Sequence, residues 1–341
     1  MKFLAPALLL GALTVSVLSG AEEKNHHFYP AVPDPLRGDW QGNGGYVAQI
    51  IRTSDHELTV NDLPPQPEDG RYEAHVFRQF DQPHDPPVAI LAGTTDGDTI
   101  NFTGGGWTGA IQGGHFKAAS GAESFDLVHV ARTPPTLGAP APAGAVVLFD
   151  GTNMDAWAKK QGKDWLKEDG PSRWKLVDGG AMEVVPGADC IITHQRFGAY
   201  KLHLEFRNLG GPTNSGVYLE DRYEANINEM YGSLTGNACT QFDNCTPKSA
   251  IPGIRCSRPP LEWQTMDIEF HPPRFDAQGT KIAKARATVW FNGTLYYHDQ
   301  ALDRPGLSAA RLGEAPTGPL MLQEHGMPCQ FRNIWLVELK D

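Results

Sequence analysis

Apolar residues in this chain alternate with polar ones in short runs, and turn residues cut every run before it can reach helical length. There are 37 Gly and 27 Pro in 341 residues and few long segments of 3.6-residue period, which argues against a helical protein. In YKLHLEFR, Tyr200, Leu202, Leu204 and Phe206 fall on one face and Lys201, His203, Glu205 and Arg207 on the other, as a half-buried strand requires. RATVWFNGTLYYHD sets Asn292-Gly293 between two β-rich arms, and that dipeptide accepts the positive φ angles of a type I′ hairpin turn. The expected fold is all-β.

Residues 22–133 read as a small β-rich accessory domain with GYVAQIIR, RYEAHVFRQF, PVAILAG, DTINFTG and ESFDLVHVAR as strands and LPPQPEDG and TTDGD among the turns. About a hundred residues suffice for a separate core. Trp40 and Trp107 either fill that core or stack on sugar rings. The uncharged PPTLGAPAPAG, residues 134–144, reads as a linker of Pro and small residues, and a second β domain occupies 145–341.

Residues 1–21 carry one charge, Lys2, then an apolar run from Phe3 to Leu18, with Ser19 and Ala21 at the −3 and −1 positions of a cleavage site. These are the marks of a signal peptide. The run falls short of the roughly 20 apolar residues of a spanning helix, and no Cys near the site offers a lipid attachment point. The mature chain is expected to be exported, periplasmic or extracellular, without stable membrane insertion. Loss of Lys2 takes the formal net charge from −11 to −12, and an acidic surface repels phosphate backbones, so nucleic acid is not an expected partner. The five Cys, at 190, 239, 245, 256 and 329, show no zinc pattern. In an exported chain, Cys239, Cys245 and Cys256 are close enough in sequence for one disulfide.

Three blocks, VVLFDGTNMDAW (146–157), NSGVYLEDRYEANINEMYG (214–232) and LMLQEHGMPCQFRNIWLVEL (320–339), resemble the 3-keto-disaccharide hydrolase domain family. CIITHQRFGAYKLHLEFR and PPLEWQTMDIEF add to a resemblance spanning roughly Ala145 to Lys340. It implies a two-sheet jelly-roll sandwich of the concanavalin A-like lectin and glucanase kind; the strand pattern alone supports an antiparallel β sandwich.

One segment points elsewhere. QTMDIEF resembles the E-x-D-x-E strand of laminarinase-type glucanases, with Asp267 and Glu269 in two of the three acidic places but Thr265 at the nucleophile's. A hydroxyl without an adjacent base does not replace a carboxylate nucleophile. In RYEANIN, strand alternation places Arg222, Glu224, Asn226 and Asn228 on one face, a polar row suited to a sugar. The family pattern there is close to RYEVQVLDS, so Arg222 and Glu224 match, Asn226 replaces a Gln, and Glu229 replaces an Asp. The other block supplies Gln323, Glu324 and His325, with Glu324 where the family usually has Asp; Arg332 and Asn333 read as structural.

The resemblance implies cleavage of a glycoside or oligosaccharide already oxidised at C3 by a separate sugar 3-dehydrogenase. The ketone acidifies the C2 proton, so a modest base suffices and no oxocarbenium ion is needed. On this basis His325 is the candidate base, Glu324 its orienting partner and Glu224 a further catalytic carboxylate. Arg222, or a divalent cation held by Glu224 and Glu229, would stabilise the enolate, and Arg222, Asn226, Asn228 and Gln323 would bind substrate. Two alternatives stand beside it: a non-catalytic, lectin-like glycan-binding protein and a laminarinase-type glucanase.

Overall fold

The computed structural model describes residues 29–31, 33–52, 71–81, 86–160, 167–211, 213–233, 242, 245–246, 254–306, 309 and 313–340. Every extended element among them is a strand. The signal-peptide expectation, Cys239 and most of the 234–253 excursion lie outside the described residues. No disulfide links the described Cys190, Cys245, Cys256 and Cys329, so a pairing of Cys245 with Cys256 is not formed. Among the described residues no helix is long and apolar enough to cross a membrane.

After β1 (Tyr29–Pro30), eight strands close into a barrel: β2 (Gly38–Asn43), β3 (Val47–Arg52), β4 (Arg71–Phe77), β5 (Ala89–Asp96), β6 (Thr99–Gly104), β7 (Trp107–Gln112), β8 (His115–Ser120) and β9 (Glu123–Val130). Each pairs with its sequence neighbour, and β2 returns to β9 to remove both edges, as closure requires. The interior is filled by Trp40, Tyr46, Phe102, Trp107, Phe116 and Phe125, so both tryptophans are core residues. Strands β2, β7 and β8 are absent from the sequence-based set because GDWQGN, WTGAIQ and HFKAAS hold too many Gly and Ala to show a strong alternation.

The remaining strands form two principal sheets. The first has eight strands in the order β13 (Lys175–Val177), β14 (Ala181–Glu183), β26 (Cys329–Glu338), β16 (Tyr200–Asn208), β20 (Gln264–His271), β23 (Ala285–Phe291) and β24 (Thr294–Leu302), with β10 (Val146–Phe149) also on β26. The second has six: β12 (Glu168–Pro171), β11 (Trp157–Lys160), β15 (Ile191–Phe197), β25 (Gly318–Leu322), β18 (Asn214–Leu219) and β19 (Tyr223–Asn228). Short pairs of β1 with β17 (Gly210–Gly211), and of β21 (Arg274–Phe275) with β22 (Lys281–Ala283), complete the set.

One core lies between the two sheets. Leu202, Leu204 and Phe206 from the first pack with Val217, Tyr223, Ala225 and Ile227 from the second, which fixes the register, since a one-residue slip would bury the polar row instead. The Asn292-Gly293 turn forms as expected, with φ of +51° and +81°. A Cβ on Gly293 would stand 2.3 Å from Pro135 Cγ, because residues 134–139 do not hang free but lie across the outer face of the eight-stranded sheet.

The barrel is fastened beside this core. Arg132 donates to Asp39 Oδ2 at 2.6 Å and Asp81 Oδ2 at 2.8 Å, Tyr231 donates to Asp39 Oδ1 at 2.9 Å, and Arg258 donates to the Arg132 carbonyl at 2.8 Å.

Candidate functional site

Both sheets turn a polar face outward, and the two faces differ in what covers them. On the eight-stranded sheet the outward residues of β16 and β20 are His203, Glu205, Thr265 and Asp267. His203 Nδ1 lies 2.6 Å from Asp267 Oδ1, Arg332 Nε donates to Glu205 Oε2 at 2.7 Å, and Asn333 donates to Glu205 Oε1 at 2.8 Å. The 134–144 segment closes over them. Thr136 Oγ1 donates to Asp267 Oδ2 at 2.7 Å, the Gly138 amide donates to Glu205 Oε1 at 2.6 Å, and the Ala139 carbonyl accepts from Asn333 and Trp335. Burial drives the His203 imidazole down, but its bonds to Asp267 and Glu205 outweigh this and hold it at about 9. Burial raises Glu205, yet His203, Asn333, the Gly138 amide and Arg332 together bring it to about 2. Thr265, the residue at the glucanase nucleophile position, is fully buried under this strap, and Glu269 is paired with Lys201 and His271.

The outward face of the six-stranded sheet is built differently. Alternation in β19 sends Tyr223, Ala225 and Ile227 into the core and Glu224, Asn226 and Asn228 outward. Across the ladder to β18, Glu224 stands opposite Tyr218, Asn226 opposite Gly216, and Asn228 opposite Asn214. From β25, Met321 pairs with Tyr218, and the Gln323 amide donates to the Gly216 carbonyl at 3.0 Å.

Gly216 is the floor of this row. A Cβ there would come within 2.7 Å of Glu224 Oε1, so the carboxylate rests where only glycine leaves room. Gln323 Nε2 donates to Tyr218 OH at 3.0 Å. Its Oε1, like Asn226 Oδ1, is buried without a hydrogen bond from any described residue. Orphaned acceptors of this kind cost free energy unless a ligand or an ordered water satisfies them.

The other site candidates are dispersed around the row. Glu324 Oε1 accepts from the Gly187 amide at 3.2 Å and the Gly326 amide at 2.5 Å, so it shapes the loop between β25 and β26. His325 is exposed on that loop, two residues beyond Gln323. Cys190 fixes the same loop from below, accepting from the Glu324 amide at 3.4 Å, and burial raises its thiol. Arg222 does not join the row. It precedes β19, is buried, and donates to the Gly313 and Glu220 carbonyls at 2.8 and 2.9 Å. Glu229 leaves the strand on the core side, with Oε2 accepting from Asn208 at 3.1 Å and Oε1 from the Tyr231 amide at 3.0 Å. Glu224 and Glu229 therefore point to opposite sides of the sheet and do not fit a shared cation. Among the described residues no group of three His, Cys, Asp or Glu side chains is placed to hold a metal.

Gly216 and Tyr218 complete the floor, and neither is among the sequence-based candidates. A glycine interrupting the otherwise β-rich NSGVYL is the signal that marks a close approach.

A family model described as "3-keto-alpha-glucoside-1,2-lyase-like domain" matches residues 144–337. No curated protein matches the chain. Among solved structures, one described as a "putative glycosyl hydrolase" from Parabacteroides distasonis ATCC 8503 is 28% identical, covering 59% of this chain and 86% of its own, with a TM-score of 0.49. A second of the same description and organism is 16% identical, covering 58% and 94%, with a TM-score of 0.41. At these TM-scores the two likenesses do not bear on fold or activity.

Proposed function

This chain belongs to the family of 3-keto-alpha-glucoside-1,2-lyase-like domains, a carbohydrate-active family, and we propose that it cleaves glycosides or oligosaccharides that carry a ketone at C3. The observation that carries this reading is the row of Glu224, Asn226 and Gln323 over Gly216, with two buried acceptor oxygens that have no partner among the described residues. Hydroxyls of a sugar ring are the donors that would satisfy them.

A base removes the proton from C2, and its electron pair forms the enolate with the C3 carbonyl. The enolate then reforms the ketone, making the C1–C2 double bond and breaking the C1–O bond to the aglycone, whose oxygen takes up a proton. Water can add to this enone, hydroxyl to C1 and proton to C2, for net hydrolysis; otherwise the unsaturated ketose is the product. His325 is assigned as the base, Glu224 as the acid for the leaving oxygen, and Asn226, Asn228 and Gln323 as hydroxyl partners. Glu324 sets the loop conformation from which His325 acts. This chemistry needs no carboxylate nucleophile, in keeping with Thr265 under its strap.

In this scheme a sugar 3-dehydrogenase supplies the substrate, and the apolar leader supports export. The jelly-roll assignment for the two sheets belongs with this reading and is supported by their shared core.

Aglycone release from a 3-keto-glucoside and from its parent glucoside tests the proposal. Release from the keto form alone is expected. Binding of both without turnover would favour a lectin-like role, and equal turnover lost in Glu269→Gln would restore the glucanase reading.

A further inference from the structure

The hairpin that presents Glu224 is closed by a turn its residues do not favour. Glu220 and Asp221 have φ of +55° and +56°, and the Arg222 amide donates to the Leu219 carbonyl at 3.0 Å. That is type I′ geometry, for which Asn-Gly is a preferred pair, as at Asn292-Gly293. Both acidic residues are fully buried. Neither carboxyl oxygen of Glu220 has a hydrogen-bond partner among the described residues. β25 packs so tightly on the turn that a Cβ on Gly318 would stand 2.6 Å from Glu220 Cβ.

Asp221 is held from the far side of the sheet. Lys160 stands on β11, separated from β18 by β15 and β25. Its ammonium donates to Asp221 Oδ1 at 3.1 Å and contacts Met321 Sδ at 3.3 Å. Met321 is the β25 neighbour of Tyr218, which in turn faces Glu224. The Lys160 side chain thus reaches Met321 on the same face as the candidate row, and the pair is nearly removed from solvent, with relative exposures of 3% and 0%. A left-handed acidic turn and a desolvated ion pair are two costs stacked at one point. Glycine at 221 together with an apolar residue at 160 would avoid the ion pair and relieve the turn at 221. Such costs persist where the surrounding structure puts them to use.

We propose that Lys160 and Asp221 are a positioning pair: the ion pair ties the 220–221 turn across the sheet and so holds the Glu224 carboxylate on Gly216. Neither residue is assigned a contact with substrate. The inference rests on the role proposed for Glu224, and its test must separate the two.

The decisive variant is the double change Lys160→Met with Asp221→Gly, which removes both charges together and lets the turn relax. Lys160→Met alone strands a buried carboxylate and is expected to destabilise the fold; it serves as the control. The double variant is expected to keep a thermal midpoint close to wild type. Its kcat on a 3-keto-glucoside should fall about 10²-fold with KM changed by less than roughly threefold, the signature of a catalytic group displaced by about 1 Å. Lys160→Arg should retain more kcat than Lys160→Met. A crystal structure of the double variant should show the Glu224 carboxylate moved off Gly216. Wild-type kcat with Glu224 in place would overturn the proposal. If the wild-type protein turns over no 3-keto-glucoside, the functional reading fails by itself. The Glu224 position in the double variant then decides the clamp: displacement upholds it and an unmoved carboxylate refutes it.

Discussion

The two outward faces of the paired sheets use the same chemical vocabulary to opposite ends. The eight-stranded face gathers His203, Glu205, Asp267, Arg332 and Asn333, and every member finds a protein partner beneath residues 136–139. On the six-stranded face stand Glu224, Asn226 and Gln323, with two amide oxygens partnerless among the described residues and a carboxylate seated over a glycine. Polar residues by themselves do not mark a site. What separates the faces is satisfaction: a closed network stabilises and orders a fold, whereas an incomplete one is completed by a ligand.

Substitutions of the candidate reacting groups on the six-stranded side should therefore cost turnover and leave stability alone. His325→Ala or His325→Gln is expected to lower turnover by roughly 10²- to 10⁴-fold, the span of a general base, with an unchanged thermal midpoint. If turnover survives, the histidine only shapes its loop, and the base is to be sought at Glu224 or Glu324.

The covered face should respond in the reverse sense. His203→Ala leaves Glu205 and Asp267 without the imidazolium between them and should cost about 3–5 kcal/mol, the usual cost of breaking a buried ionic network. Denaturant titration measures the loss, and turnover per folded molecule should hold. A fall in turnover at full stability would mean that the strap covers a second functional surface.

The faces also differ in how pH acts on them. His203 is raised from 6.5 to about 9, so the stability it contributes is complete below about pH 6.5 and is lost as pH rises through 9. Glu205 is lowered from 4.5 to about 2; its contribution is present above about pH 4.5 and lost as pH falls towards 2. Together these are worth on the order of 3 kcal/mol at each end. At the hairpin end of the six-stranded face, burial first, then the nearby Glu314 acting against Arg222, raises Glu220 from 4.5 to about 8. The folded state then binds the extra proton, and stability declines from pH 4.5 to 8. Glu220→Gln should flatten that decline. An unchanged slope would show that Glu220 ionises normally.

Much of this contrast was legible in the sequence, and the exceptions have physical causes. Alternation in RYEANIN placed Glu224, Asn226 and Asn228 together because a strand gives no other choice. It misplaced Arg222, since the pattern was extended one residue into a turn whose left-handed conformation is not visible in Glu-Asp. It gave no warning about Glu229, which follows the strand and turns back toward Asn208. Residues 134–144 looked like a linker by composition, and composition does not report that Thr136 and Gly138 donate to buried carboxylates. Barrel closure depends on β2 meeting β9, a pairing between distant segments that local pattern does not encode.

A smaller effect refines the account of the floor. Gly216→Ala puts a methyl group 2.7 Å from Glu224 Oε1, and a fall in kcat of roughly tenfold is expected from the displaced carboxylate. Wild-type kinetics would place Glu224 outside the reaction.

The most direct measurement is deuterium incorporation at C2 of a 3-keto sugar that lacks a leaving group, followed by proton NMR in deuterated water. The wild-type protein and His203→Ala should both catalyse the exchange, and His325→Gln should abolish it. Exchange that survives in His325→Gln but disappears in a folded His203→Ala protein would assign the chemistry to the covered face and contradict the division drawn between the two.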